Sequence, residues 1–293
     1  MKPPWLNKKI NLKSCSALKQ ILRDLKVETV CEQAMCPNIG ECFDKGEATF
    51  LILGKSCTRM CSFCNIKKGK PLPPDPDEPR RVASAVEVLG LKHVVITSVT
   101  RDDLVDGGAG MYVDTVLSIR EKSPEAAIEL LIPDFRLAGD ALAAVVNSRP
   151  DIIAHNVETV PSLYSLVRQG ADYSRSLEVL RRIKELDPGL KTKSGVMLGL
   201  GESEEEVIGV MKDLRLLDCD FLSIGQYLSP SRQHYPVKEY IAQEKFDYYK
   251  AQGKAFGFSH IQSSPYTRSS YMAGEYLGSG ACKEACKIQG ERA

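Results

Sequence analysis

The sequence predicts an α/β fold: a partial (β/α)6 TIM-like barrel with an N-terminal and a C-terminal extension. Apolar, β-branched runs of strand length alternate with helical periodicity, six strands in all. A loop rich in cysteine follows the first of those runs, at the carboxyl end of a strand, where a barrel of this kind carries its chemistry. The 293 residues suit one large α/β barrel or two ordinary domains, so the alternation decides and the length does not.

Taken in order, Met1 to Lys9 is polar and interrupted by proline, and Ser14 is placed to cap a short amphipathic helix whose apolar face includes Leu18, Ile21, Leu22 and Leu25. That helix reads as a docking arm or cap. The segment CEQAMCPNIGEC sets thiols at Cys31, Cys36 and Cys42, with Pro37 and Gly40 breaking regular structure between them. Thr49 to Leu53 then reads as a buried strand, and Gly54 releases it into a loop holding Cys57, Cys61 and Cys64. Lys67 to Arg81 is rich in proline and charge and reads first as a solvated connector. Its basic entrance, Lys67, Lys68 and Lys70, also suits docking of an acidic partner.

The alternation follows. A helix at Val82–Leu89 leads to a strand at His93–Val99, and a helix at Met111–Lys122 to a strand at Ile128–Ile132. Next come Leu137–Asn147 with Ile152–Val157, Ser176–Leu186 with Ser194–Leu198, and Glu204–Leu217 with Phe221–Leu228. Such repetition implies right-handed crossovers and a parallel sheet, with the ligand site at the carboxyl ends of the strands. Thr97, Ser98, Asn156, Glu158, Lys193, Ser194, Gln226 and Tyr227 are polar residues at or near strand ends, and are read as candidate ligand contacts. The glycine-rich pieces at 106–110 and 198–202 match neither GxGxxG nor GxxxxGK[ST], so a nucleotide phosphate cradle is not expected.

Charge excludes several function classes. Lys and Arg total 39 against 38 Asp and Glu, a formal charge of +1, so no bulk field argues for a nucleic-acid or membrane partner. No apolar run reaches membrane-spanning length, and residues 1–12 lack the apolar core of a secretory signal; the expected location is the cytoplasm. Ten cysteines, six of them between Cys31 and Cys64, look like metal ligation in a reducing compartment rather than a disulfide network.

Three thiolates within eight residues suit zinc or an iron–sulfur cluster. A structural zinc site is closed by four protein ligands, whereas a three-cysteine [4Fe–4S] cluster leaves one iron open to a small molecule. In Cys57-x3-Cys61-x2-Cys64, with aromatic Phe63 before the last ligand and a strand before the first, the chain resembles the radical S-adenosylmethionine superfamily. With the second triplet, Cys31-x4-Cys36-x5-Cys42, it resembles the lipoyl synthase family, and the likeness extends from about Glu28 to Tyr271. It runs through ATFLILG, VVITSVTRDDLVDGGA, LIPDF, HNVETVPSLY, TKSGVMLGLGE, SIGQYLSPS and the RSSY of 268–271.

The resemblance implies two [4Fe–4S] clusters and S-adenosylmethionine as cofactors. Cys57, Cys61 and Cys64 would hold the first cluster, and Thr97, Ser98, Asn156, Glu158, Lys193, Gln226 and Tyr227 become candidates for contact with S-adenosylmethionine. Cys31, Cys36, Cys42 and Ser270 would hold an auxiliary cluster that is consumed as the sulfur source, Ser270 being a hard and therefore labile ligand. The implied activity is that of a sulfurtransferase inserting sulfur at C6 and C8 of an octanoyl-lysine on a lipoyl-carrier protein or domain, such as a 2-oxoacid dehydrogenase subunit or a glycine-cleavage carrier. An electron donor and an iron–sulfur assembly or carrier protein would be further partners. The division expected is 1–47 for the auxiliary-cluster cysteines, 48–265 for the barrel and 266–293 for the segment closing the auxiliary site. Two rivals stand beside this: another two-cluster radical enzyme, and a zinc-stabilised binding module. Cys282 and Cys286 fall outside the family pattern and read as incidental thiols.

Overall fold

The structure, a computed structural model, describes residues 3–6, 15–34, 36–44 and 48–277. In chain order the elements are α1 (Cys15–Asp24), β1 (Glu28–Thr29), α2 (Val30–Gln33), α3 (Ile39–Asp44), β2 (Thr49–Ile52), β3 (Ser56–Cys57) and β4 (Lys67–Lys68). Then follow α4 (Glu78–Val88), β5 (His93–Ser98), α5 (Ala109–Lys122), β6 (Ala127–Leu131), α6 (Ala141–Asn147) and β7 (Ile152–Ala154). The remainder is α7 (Tyr164–Val167), α8 (Tyr173–Leu186), β8 (Lys191–Leu198), α9 (Glu204–Leu216), β9 (Phe221–Gln226), α10 (Gln243–Phe256) and β10 (His260–Ser264). The cap expected at Ser14 and the thiols of Cys282 and Cys286 lie outside the described residues.

Eight strands form one sheet in the order β1-β2-β5-β6-β7-β8-β9-β10. Only β1 is antiparallel; every later pairing is parallel. Each strand lies beside its predecessor after a crossover, as right-handed βαβ units require, and β1 and β10 remain as edges, so the barrel is partial. Alternation along the strands explains the two-sided burial: Val94, Ile96, Ile128, Leu130, Leu222 and Ile224 share one core with Val82, Val86, Val116, Ile119, Val179 and Leu214 of the helices. Each such side chain contributes roughly 1.5–3 kcal/mol by leaving water. Helix starts are locally encoded: the Asp172 carboxylate accepts from Arg175 N–H, and Ser203 with Glu206 forms a reciprocal capping box.

All six predicted strands are present, and β10 adds a seventh parallel strand after helix α10. β10 reads HIQSS, in which only alternate residues are buried, and α10 buries just Phe246, Tyr249 and Gly253, so neither shows a strong apolar pattern. The helix expected across Leu137–Asn147 is a 3₁₀ turn at Phe135–Leu137 followed by α6, because Phe135, Arg136 and Leu137 all take positive φ. The strand expected to reach Val157 ends at Ala154 as β7. Among the described residues no helix is long and apolar enough to cross a membrane.

Two features complete the barrel. The chain after β10 meets the chain after β1: Asn38 Nδ2 donates to Tyr266 O at 2.7 Å, and the Tyr271 hydroxyl donates to Glu41 Oε1 at 2.9 Å. At the amino ends of the strands, Lys193 Nζ lies 2.9 Å from Glu129 Oε1, both side chains being fully buried. Lys193 also stands 3.7 Å from the centre of the Tyr276 ring, and Tyr276 packs against Phe221 and His260. Tyr276, on the 3₁₀ turn Ala273–Leu277, therefore forms a floor.

Candidate functional site: two cysteine sites on one barrel

The first cysteine loop leaves β2 through two left-handed residues, Leu53 at φ 67° and Gly54 at φ 86°. Leu53 is an unusual residue for that conformation, and it is held: its N–H donates to Glu78 Oε2 at 2.7 Å, and a Cβ on Gly108 would come within 2.4 Å of its Cδ1. Cys57 then lies in β3, paired with β4, and its carbonyl accepts from Gly69 N–H at 3.0 Å. Arg59 N–H points at the Cys57 sulfur across 3.4 Å. Ser62 N–H donates to Val167 O at 2.9 Å, and Phe63 packs with Val167, Leu200 and Tyr227.

Arg59 fixes this loop to the barrel. It is 6 % exposed and reaches Asp102 at 2.8 and 2.9 Å and Asp134 at 2.5 and 2.9 Å, while Arg175 adds a 2.7 Å contact to Asp134. Burial alone would raise the Asp134 carboxyl, but Arg59 and Arg175 outweigh it and hold the group well below the usual carboxylate range. A depressed carboxyl stabilises the fold fully above its ordinary value near 3.9, and that stability is lost as pH falls from there towards the folded value. Asp134→Asn is accordingly expected to lower the urea midpoint at pH 7 and to flatten its decline below about pH 4. An unchanged midpoint at both pH values would contradict the clamp.

In the stretch just after β7 stand Asn156 and Glu158, the latter close to Cys61 and Cys64. Asn156 Nδ2 donates to Glu158 Oε1 at 3.0 Å, and Glu158 takes φ 66°. Burial pushes the Glu158 carboxyl up, opposed by Arg168 and by the Asn156 amide. Glu158 and Arg168 also face Cys61 with opposite effects, although burial is the larger influence and pushes that thiol up to about 11. Asn156 is reached from the other side by Ser269 Oγ at 3.0 Å, and Gly195 leaves room for it, since a Cβ there would lie 2.8 Å from Asn156 Oδ1.

The second triplet sits on α2, the following turn and α3. Thr29 Oγ1 caps α2, Cys36 N–H donates to Cys31 O at 3.1 Å, and Cys42 N–H donates to Asn38 O at 3.0 Å. Cys31, Cys42 and Ser270 line one hollow together with Thr49, His93 and Val95. Thr49 and His93 begin their strands, so this hollow lies towards the end of the barrel opposite the first loop. Cys36 does not line it but stands close enough to Cys31 and Arg268 to act on both electrostatically. Gly225 admits the segment that carries Ser270, since a Cβ there would meet Thr267 O at 2.1 Å.

The donor chemistry of both sites fits an iron–sulfur cluster. In the first loop Cys57, Cys61 and Cys64 stand close enough to act on one another, while the second hollow presents the thiols of Cys31 and Cys42 with the Ser270 hydroxyl, and Cys36 stands beside Cys31. Burial pushes the Cys31 thiol up to about 12, with Cys36 adding to the rise and hydrogen bonds from Thr49 opposing it.

The other sequence candidates separate. Lys193 stands on the floor rather than at the mouth, because β8 begins at Lys191 instead of Ser194. Burial opposes the Glu129 charge, yet Lys193 and His93 hold its carboxyl low; burial also draws Lys193 down, and Glu129 resists that loss. Ser98 accepts from the Tyr112 hydroxyl of α5 at 2.9 Å and so turns to the helix layer. Thr97 Oγ1 donates to Leu131 O at 2.8 Å. The Gln226 amide is spent on Leu198 O, Tyr227 O, Glu239 O and Ile241 N, while the Tyr227 hydroxyl donates to Tyr235 O at 2.7 Å. Ser194 Oγ donates to His155 O at 2.9 Å. Arg59, Arg168 and Ser269 were not singled out from sequence as site residues. Arg59 lies between two cysteines of the motif and Ser269 within RSSY, which were the available signals.

Residues 51–214 match the family model described as Radical SAM superfamily. The lipoyl synthase of Geobacter sulfurreducens is 60 % identical over 277 residues, covering 94 % of this chain and 91 % of that protein. That of Geobacter metallireducens is 58 % identical over 277 residues, with 94 % and 98 % covered. That of Alkaliphilus metalliredigens is 55 % identical over 277 residues, with 94 % and 96 % covered. Among solved structures, Streptococcus suis SuiB bound to S-adenosylmethionine superposes with a TM-score of 0.58 at 13 % identity, over 77 % of this chain and 52 % of SuiB. Methylornithine synthase gives 0.56 at 16 % identity, over 83 % and 73 %. These two likenesses are of fold.

Proposed function

This chain belongs to the lipoyl synthase family of radical S-adenosylmethionine enzymes, and from that premise we propose how its two cysteine sites divide the reaction. The enzyme is a sulfurtransferase that converts a protein-bound octanoyl-lysine to lipoyl-lysine by inserting sulfur at C6 and C8. When bound, the cluster at Cys57, Cys61 and Cys64 with S-adenosylmethionine supplies a hydrogen-abstracting radical, and the auxiliary cluster at Cys31, Cys36, Cys42 and Ser270 supplies the sulfur. An unactivated methylene offers no acidic proton, so the protein's part is to position the groups and exclude water.

Residues of the chain take up that part. Arg59, Thr58 and Ser62 hold the first loop rigid, and Phe63 shields it with Tyr227 and Val167. Asn156 and Glu158, just after β7, are the sequence candidates best placed for S-adenosylmethionine, Glu158 standing near Cys61 and accepting from Asn156. Ser270 brings a hydroxyl to the hollow of Cys31 and Cys42. The functional division is 1–47, 48–265 and 266–293, with β10 closing the barrel part. The substrate is an octanoylated carrier domain of the 2-oxoacid dehydrogenase or glycine-cleavage type, with an electron donor and a cluster assembly or carrier protein as partners.

The observation that carries this reading is the meeting of Cys31, Cys42 and Ser270 at one hollow, apart from the first cysteine loop. Its test is the product mass after incubation with an octanoyl-lysine peptide, reductant and S-adenosylmethionine. Mono- and dithiolated peptide is the expected result; deoxyadenosine without either would point to a different two-cluster enzyme. Anaerobic protein is expected to contain about eight iron atoms per chain, and zinc in their place would overturn the reading.

Two substitutions probe the second site. Ser270→Ala is expected to leave the first cluster's Mössbauer signal intact and diminish the auxiliary one. Gly225→Ala places a methyl group against Thr267 O, so it is expected to displace the Ser270 segment and reduce dithiolated product at least tenfold, with deoxyadenosine still formed. Normal thiolation in Gly225→Ala would show that this segment need not sit where the structure has it.

A further inference from the structure

The parallel ladder of β3 and β4 sets Lys67 opposite Ser56 and Lys68 opposite Cys57, and Gly69 N–H donates to Cys57 O at 3.0 Å. Paired strands run about 4.8 Å apart, so the basic run 67–70 lies one strand width from a cysteine of the first site. The other cations bordering that loop are paired or, like Arg168, buried. Arg59 binds Asp102 and Asp134, Arg101 binds Asp103, Arg136 binds Asp102, and Lys55 binds Glu28. Lys67, Lys68 and Lys70 make no ion pair among the described residues, Lys67 and Lys70 are exposed, and Leu72 beside them is 84 % exposed.

The geometry points to residues 67–72 as the docking surface for an acidic one-electron donor protein, an inference that rests on the proposed role of Cys57, Cys61 and Cys64. Unpaired lysines around an exposed apolar residue form a surface that attracts and orients an acidic partner. Electron transfer falls steeply with distance, and this surface abuts a cluster ligand through one hydrogen-bonded ladder. The lipoyl carrier instead delivers a long flexible arm, which relieves its body of any need to sit so close. One electron leaves the donor, which is oxidised by one equivalent, and one is consumed for each S-adenosylmethionine cleaved to methionine and a 5′-deoxyadenosyl group.

The test uses the full chain with both clusters loaded and compares Lys67→Glu/Lys70→Glu with the unaltered protein. Reduced flavodoxin serves as the acidic donor, and dithionite as a donor that needs no docking. The double variant is expected to bind oxidised flavodoxin at least tenfold more weakly at about 0.05 M salt and to form deoxyadenosine correspondingly more slowly with it. The gap is expected to shrink at about 0.5 M salt, and the dithionite-driven rate is expected to be unchanged. Equal flavodoxin binding by both proteins would overturn the inference. So would an equal fall with both donors, which would mark a damaged cluster loop, or a raised KM for the octanoylated carrier with flavodoxin binding intact. If the unaltered protein gives no deoxyadenosine even with dithionite, the cluster assignment itself fails and the docking inference falls with it.

Discussion

Cys57→Ala abolishes deoxyadenosine formation and sulfur insertion together, whereas Cys31→Ala keeps deoxyadenosine and loses only the thiolated product: this is the expected contrast. Its basis is spatial. Cys57 belongs to the loop after β2, while Cys31 lies in α2 at the hollow shared with Cys42 and Ser270. Each variant is expected to lose about four irons. The first loop has anchors that do not depend on iron, among them Thr58 to Thr100 O at 3.0 Å and Arg59 to two carboxylates, so Cys57→Ala should unfold at nearly the urea concentration of the unaltered protein. Product and deoxyadenosine are both read by mass spectrometry from one reaction. Equal residual thiolation in the two variants would refute the division of labour.

Lys193→Ala is expected to cost about 3–5 kcal/mol of stability, the largest effect of any single change away from the cysteines. Glu129 would be left charged, fully buried and without its cation, with His93 Nε2 at 3.5 Å as its nearest help. Tyr276 would lose the ammonium above its ring as well. A paired replacement, Lys193→Met with Glu129→Leu, removes the buried charge and is expected to recover most of the loss. Urea unfolding of the three proteins decides it. A single variant as stable as the parent would show that the floor tolerates an unpaired carboxylate.

That lysine also marks where sequence reading stops. A strand assumed to begin at Ser194 makes Lys193 look like a boundary residue near a ligand. A strand that begins at Lys191 puts it inside the barrel, and only the partner at Glu129, 64 residues earlier, reveals the difference. The cysteine loops were legible because their information is local: spacing, a preceding strand and a releasing glycine. The first six parallel strands were legible because most are apolar along their length. β10 was not, since half of it is polar and partly exposed, and its place is fixed by Gly253 letting α10 approach Ile261. The Arg59 clamp was hidden for the same reason as the floor: its carboxylates lie 43 and 75 residues away.

The hydrogen bonds from Asn38 to Tyr266 and from Tyr271 to Glu41 span 228 and 230 residues. A chain made from its amino end exposes Cys31, Cys36 and Cys42 early, while Ser270 and the glycine that admits its segment emerge late. The hollow that Cys31, Cys42 and Ser270 share is therefore completed only after every strand of the barrel has been made. Under the proposed role, renewing the sulfur source would call for release of the segment that carries Ser270 rather than unfolding of the barrel, because that segment lies outside the strands and is laid on after them.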